Sequence, residues 1–293
     1  MTPGEQATGV VLRVAGPSAT VRIGNEQVEV PIAPRIVARP VVGDTAILRR
    51  RPGDLPELVG IGERRTLLQR GGGREGQRRD VVANADLLLV VASVVDPPLH
   101  PRLIDRYLVA GHHGGLEPAI VLTKLDLDHD RAQVDGIIKE YREIGYPVFA
   151  GVANEETFLG ALAEHIGERI GVLAGHSGVG KSTITRGLTG VDRQVGEISQ
   201  KAGKGRHTTT DPRLIPMRVG PGAVVDTAGV RSFFIPAMEP DDLAAGFPEI
   251  AAALSRCRFR GCRHDGDAGC VMESVVSARR LDSYRRLLES ERS

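Results

Sequence analysis

The stretch Gly175-His176-Ser177-Gly178-Val179-Gly180-Lys181-Ser182-Thr183 decides how this chain is read. It follows an apolar run, 170–174, and precedes a segment, 182–189, of helical character. G-x-x-x-x-G-K-[ST] between a strand and a helix is the pattern of a phosphate-binding loop. Its glycines let backbone N–H groups curl toward an anion, and the helix N-terminus adds positive potential. Lys181 is placed to reach β- and γ-phosphates, and Ser182 to ligate Mg²⁺. A glycine-rich turn that matches by chance is the alternative, and the strand–loop–helix setting argues against it. Only five lysines stand among 38 basic residues. Lys181 is retained where a compact point charge suits phosphate and a planar guanidinium would not substitute.

Bulk properties bound the rest. A length of 293 residues leaves room for two or three domains. Hydrophobic content of 41% with 26% charged residues is that of a globular protein. No apolar run approaches the ~18 residues of a membrane span. Residues 1–7 lack the basic and apolar regions of a secretory signal. Three cysteines do not make a disulfide framework. The expectation is a cytoplasmic protein. Aromatics at 3% argue against RNA binding through aromatic stacking platforms. Charge is uneven: residues 1–80 carry +4, residues 81–252 carry −6 and residues 253–293 carry +3. Basic flanks around an acidic centre suit an anionic partner, although a solvated surface has the same signature.

Along the chain, residues 8–62 read as a small β-barrel, with strands at 9–14, 19–23, 27–32, 44–50 and 57–61. Gly24-Asn25 is a two-residue hairpin signal. Five short strands fit an OB-fold, with an SH3-like barrel as the alternative. Arg49-Arg50-Arg51 and Arg64-Arg65 fall at loops where phosphates would reach them. The expected divisions are a barrel over 1–69, a Gly/Arg-rich linker over 70–80, an α/β domain over 81–238 and a small C-terminal domain over 239–293. The α/β domain alternates strands at 87–94, 119–122 and 148–152 with helices at 103–110, 131–144 and 158–166, then the phosphate loop. Segments 214–219 and 223–226 form a hairpin added to a mostly parallel sheet.

Three motifs complete a nucleotide switch. Thr123-Lys124-Leu125-Asp126 resembles the guanine-reading N/T-K-x-D motif of GTPases. A carboxylate there accepts two hydrogen bonds that guanine offers and adenine does not. Asp226-Thr227-Ala228-Gly229 resembles D-x-x-G, with Asp226 toward Mg²⁺ and the Gly229 N–H toward the γ-phosphate. Gly203-Lys204-Gly205-Arg206-His207-Thr208-Thr209-Thr210 has the glycines and threonines of a Mg²⁺-sensing switch. The base-reading motif precedes the phosphate loop, which reverses the usual order and implies circular permutation. Farther on, Cys257-x₄-Cys262-x-His264-x₅-Cys270 gathers every cysteine of the chain with one histidine. Three thiolates and an imidazole suit a closed, structural Zn²⁺ site, against redox-active or merely reduced cysteines. Arg256, Arg258, Arg260 and Arg263 would be displayed on that knuckle. Residues 273–288 read as helical and basic on one side.

Together these motifs resemble the YjeQ/RsgA family of bacterial GTPases that assist late maturation of the small ribosomal subunit. The resemblance covers essentially the whole chain. It implies an OB-fold, a circularly permuted P-loop GTPase domain and a zinc domain. It implies GTP bound at 123–126 and 175–183, one structural Zn²⁺, Mg²⁺ with the nucleotide, binding to the 30S subunit and its rRNA, and hydrolysis stimulated there. A monomer away from membranes is expected. Thr123 stands where Asn is commoner, Ala228 where Pro is usual, and the late base contact within 151–155 is degenerate. Val230 stands where many GTPases carry a water-orienting Gln. His207 is the candidate for that role, with Lys181 and Gly229 supplying charge stabilisation. An rRNA-binding chaperone with a merely regulatory nucleotide site is one alternative; a P-loop ATPase or kinase is another, and Asp126 argues against it.

Overall fold

The computed structural model describes residues 6–50, 56–71, 78–192, 212–227, 233, 235, 240–259, 262 and 264–290. Its first five strands are β1 (Gln6–Ala15), β2 (Ser18–Ile23), β3 (Glu26–Pro31), β4 (Thr45–Arg49) and β5 (Glu57–Ile61). Strand β1 pairs antiparallel with both β2 and β4, β2 with β3, and β4 with β5. A parallel bridge, Ile32 to Leu58, closes the ring. The circular order 1-2-3-5-4-1 is that of the Greek-key OB barrel, which decides against the SH3-like alternative. Alternation along the strands turns Val11, Ala19, Val21, Val30, Ala46, Leu48 and Leu58 inward as one core. Each Leu or Val fully buried there contributes about 1.5–3 kcal/mol.

The expected linker differs from what forms. Strand β6 (Leu67–Gly71) pairs antiparallel with β7 (Arg78–Ala83), in register through Arg70↔Arg79 and Gly71↔Arg78. Its glycines and arginines suggest a solvated tether, but Leu68, Val81 and Val82 are buried, and Leu68 pairs with Val82. The barrel docks against β7. Val42 pairs with Val82, and the Ala83 N–H donates to the Val42 carbonyl at 2.9 Å. At Gly43 (φ +89°) an added Cβ would lie 1.9 Å from the Ala83 carbonyl oxygen, so only glycine permits this approach. Arg64 donates to Asp44 and to Asp80, which ties the same junction. Arg64 was expected to be available to phosphate; it is instead committed to these two carboxylates.

The α/β domain comprises β8 (Leu87–Ser93), α1 (Pro101–His113), β9 (Glu117–Thr123), α2 (Arg131–Ile144), β10 (Val148–Ala150), α3 (Glu156–Ile166), β11 (Ile170–Ala174), α4 (Lys181–Thr189), β12 (Arg213–Pro216) and β13 (Ala223–Asp226). Helix α2 begins where the Asp130 side chain accepts from the Gln133 N–H, and ends at left-handed Gly145. The sheet order is β10-β9-β8-β11-β13-β12, parallel except for β12, which forms the expected hairpin with β13. Both faces are covered. Leu88 and Val90 face α1 and α2, while Leu87, Leu89 and Val91 face α3 and α4. Burial on both sides explains the unbroken apolar strands. One antiparallel pair, Arg13↔Arg213, continues this sheet from β12 into β1 of the barrel.

The C-terminal part packs on α1. It contains α5 (Pro240–Ala244), α6 (Pro248–Ala251), α7 (Met272–Val275) and α8 (Ala278–Ser290). The single helix expected over 273–288 is thus two, broken around Val276 and Ser277. Its basic face is also largely spent internally. Arg279 and Arg280 pair with Asp105, Glu140 and Glu249, and Arg285 pairs with Glu273.

Candidate nucleotide site and metal cluster

The parallel strands β9, β11 and β13 end at one edge of the sheet, the edge where open α/β sheets bind ligands. After β11 the chain turns through Gly175 (φ +149°), Gly178 (φ +84°) and Gly180 (φ +96°) into α4. A Cβ at Gly175 would lie 2.0 Å from the Val91 carbonyl oxygen, so the loop passes against backbone. His176, Ser177 and Gly178 are exposed at its crest, and Val179 is buried beneath. Lys181 Nζ donates to the Gly175 and His176 carbonyls at 2.8 and 2.6 Å, folding back over the loop. Burial lowers the Lys181 pKa, and the Asp226 charge opposes that shift. Ser182 is exposed at the start of α4, with Thr183 partly covered behind it.

The base-reading motif lies beside this loop. Thr123 is fully buried, and its hydroxyl donates to the Val179 carbonyl at 2.7 Å. A side chain from β9 therefore holds the phosphate loop from a sequence distance of 56 residues. Lys124 adopts φ +64°, a strained region for a residue with a side chain, and its ammonium donates to the Asp96 carbonyl. Leu125 is partly buried, and Asp126 is exposed beyond it. The segment after β10 joins the same group. An added Cβ on Gly180 would sit 3.5 Å from Ala153 Cβ and 3.6 Å from Thr123 Oγ1. Ala153, within the segment 151–155 where the late base contact is expected, thus lies beside the phosphate loop.

Asp226 ends β13 in register with Leu173 of β11 and is fully buried. The neighbouring Thr227 hydroxyl donates to the Leu173 carbonyl at 2.7 Å. This anchors the start of D-x-x-G one residue from the end of the phosphate-loop strand. His207, Thr208, Thr209, Thr210 and Gly229 lie outside the described residues.

A second cluster closes in the C-terminal part. The ligand atoms of Cys257, Cys262, His264 and Cys270 all lie within 4.8 Å of one another. His264 Nδ1 is 3.7 Å from Cys257 Sγ and 3.6 Å from Cys270 Sγ. Tetrahedral coordination with metal–sulfur bonds near 2.3 Å and metal–nitrogen bonds near 2.0 Å gives sulfur–nitrogen edges of about 3.5 Å. The donor set therefore fits a metal ion. His264 is buried with φ +59°, and its carbonyl accepts from Arg285 Nε at 2.6 Å. Helix α8 thereby braces the ligand from behind.

Comparison with known proteins agrees with this geometry. The RsgA GTPase family model matches residues 61–236. The small ribosomal subunit biogenesis GTPase RsgA of Pseudomonas aeruginosa is 36% identical over 98% of this chain and 86% of its own length. That of Ectopseudomonas mendocina is 40% identical over 73% of this chain, a match spanning 64% of that relative. The solved structure of YloQ, described as a circularly permuted GTPase, superposes with a TM-score of 0.73 at 25% identity, covering 98% of this chain and 96% of that one. YjeQ from Thermotoga maritima shares the fold at a TM-score of 0.73 and 23% identity, over 99% of both chains. The barrel-led sheet and the order of its strands are thus a shared plan, and the chain belongs to the RsgA GTPase family, as a GTP hydrolase of circularly permuted fold.

Proposed function

We propose that this GTPase acts on the small ribosomal subunit in the cytoplasm, binding it and its rRNA, assisting its late maturation and hydrolysing GTP faster when bound. The relatives are named for small ribosomal subunit biogenesis. One observation carries the chemical half of the reading: Thr123 joins the base-reading motif to the phosphate loop through the Val179 carbonyl. A nucleotide whose base meets Asp126 must then place its phosphates at 175–183.

In this reading Asp126 accepts from guanine, and Lys124 packs beside the base. The amides of 175–180 and Lys181 hold the β- and γ-phosphates. Ser182 and Asp226 are the residues that would hold Mg²⁺, joined by one of Thr208, Thr209 and Thr210. Bound there, Mg²⁺ supplies charge neutralisation for phosphoryl transfer. The Gly229 N–H senses the γ-phosphate, and His207 orients the attacking water, since Val230 cannot. Loss of the γ-phosphate would release D-x-x-G, which leads toward the C-terminal part. The Cys257, Cys262, His264 and Cys270 site takes Zn²⁺, whose preference for three thiolates and one imidazole matches the donor set.

The test is hydrolysis of GTP and ATP with and without purified small subunits. Slow GTP turnover that rises strongly with the subunit, without ATP turnover, is expected. GTP turnover indifferent to the subunit removes that partner, and equal use of ATP removes the role of Asp126. Replacing His207 by Ala should abolish the stimulated rate and leave GTP affinity unchanged.

A further inference from the structure

Phe259 is exposed where its neighbours give no hydrophobic reason for an aromatic ring. The chain has six phenylalanines, four tyrosines and no tryptophan. Among the described residues Phe259 is the one exposed aromatic, at 55%. It lies in the four-residue loop between the metal ligands Cys257 and Cys262, so both ends of its loop are fixed by the cluster. The Arg258 N–H donates to the Gly269 carbonyl at 3.2 Å. The Arg258 stem lies over Gly269, where an added Cβ would meet Arg258 Cβ at 2.8 Å. The Arg258 guanidinium carbon sits 5.4 Å from the Phe259 ring centroid, within cation–π range. Arg256 is exposed at the end of the 3-10 turn Leu254–Arg256 that precedes the loop, and Arg260 and Arg263 follow in sequence.

A flat apolar ring set among arginines matches one class of partner. A protein or lipid contact would call for further apolar residues around the ring, and the flanking positions are Arg and Gly. Duplex RNA would be served by the arginines alone. Single-stranded RNA uses both parts, because bases stack on aromatic faces while cations follow the phosphates.

We propose that Phe259 stacks on an unpaired base of RNA, with Arg256 and Arg258 against the adjoining phosphates. The proposal rests on the small-subunit reading above and names the contact by which the C-terminal cluster would grip rRNA. It also narrows the expectation drawn from composition: scarce aromatics exclude a broad stacking platform, not a single ring held by a metal knuckle.

The absence of tryptophan supplies the test, because Phe259→Trp makes the sole indole of the chain. The full-length, zinc-loaded variant is titrated with a single-stranded oligoadenylate of about 12 nucleotides, within the range such sites cover. Indole emission is expected to fall, and an abasic strand of equal length should leave it unchanged. Phe259→Ala should bind the oligoadenylate roughly tenfold more weakly, with Phe259→Tyr close to the unaltered protein. Zinc content measured on each variant reports whether the knuckle is intact. Equal binding by Phe259→Ala, equal response to base-bearing and abasic strands, or quenching by small-subunit proteins but not by RNA would each overturn the proposal. Subunit-stimulated GTP turnover of the unaltered protein is measured in parallel. Its absence would sink the small-subunit reading, whereas its presence without RNA quenching would sink the stacking contact alone.

Discussion

Arg280 Nη1 donates to Asp105 Oδ1 at 2.6 Å, with both side chains fully buried. The pair joins α8 of the C-terminal part to α1 of the GTPase sheet. Arg280 also donates to Glu249 at 2.6 Å and lies 4.3 Å over the Phe247 ring. Tyr141 donates a further hydrogen bond to Asp105. A buried ion pair is poor evidence of net stability, but removing Arg280 takes the cation from Glu249 and leaves Asp105 with Arg279. Arg280→Ala should therefore destabilise the C-terminal part by about 3–5 kcal/mol. Arg280→Lys, which keeps a cation toward Asp105 and Glu249, should cost less than Arg280→Ala. Thermal denaturation of the two variants decides, and equal losses would show that packing rather than charge sets the cost.

Thr123 makes a sharper test of the nucleotide site, because its hydroxyl is the link between two motifs. Thr123→Val keeps the shape and removes the donor, leaving the Val179 carbonyl unpaired inside the protein. The penalty for such a group is about 1–3 kcal/mol. Affinity for GTP and GDP should fall together by roughly tenfold, since the link precedes any γ-phosphate contact. Titration with fluorescent nucleotide analogues measures both. A selective loss of GTP would place the link in the switch rather than in the common site.

His112 gives a dependence on pH. Burial, aided by the nearby Arg280 charge, holds its imidazole below the ordinary 6.5. Its Nε2 lies 3.2 Å from the Tyr146 hydroxyl. The unfolded chain takes up this proton near 6.5, whereas the folded chain resists it until lower pH. The stability it contributes is complete above the unfolded value and is lost as pH falls through the folded one. Melting temperature should drop between pH 7.5 and 5.5, and less so in His112→Gln. Identical pH profiles for the two proteins would remove His112 from the effect.

The local motifs were legible because each is contiguous and chemically demanding. Residues 175–183 follow a strand and open a helix, Thr123 and Asp226 end strands, and the three cysteines gather with His264, as their local patterns lead one to expect. What escaped the sequence is long-range. Gly43 meets Ala83 only after the barrel has closed, and Arg64 finds Asp44 and Asp80 across that junction. The β6–β7 hairpin was hidden because its arginines and glycines imitate a tether, while its few buried apolar residues lie at its base. Arg279 and Arg280 read as surface charges, since their carboxylate at Asp105 is more than 170 residues away. The barrel junction is testable in its own right. Gly43→Ala should force the barrel from β7, visible as a larger radius of gyration in solution scattering, with GTP affinity retained.

The metal cluster separates two roles that the fold keeps apart. Within it His264 adopts a φ of +59°, a conformation that costs a non-glycine residue about 1–2 kcal/mol. The Arg285 contact to the His264 carbonyl and the Tyr284 ring, 5.8 Å from the imidazole, help to hold it there, and an ion bound by the four side chains would add to that hold. Cys270→Ser, or prolonged chelation, should therefore loosen the segment from Cys257 to Cys270 and speed tryptic cleavage after Arg256 and Arg258, which are exposed but held in a fixed turn. The candidate nucleotide site lies on other elements, at the edge formed by β9, β11 and β13. GTP affinity should stay within about twofold of the unaltered protein, a change of only ~0.4 kcal/mol. Subunit-stimulated hydrolysis should be lost if the knuckle is the part that grips RNA. A metal-free protein with normal stimulated turnover would confine the cluster to folding, and one that no longer binds GTP would show that the C-terminal part supports the sheet itself.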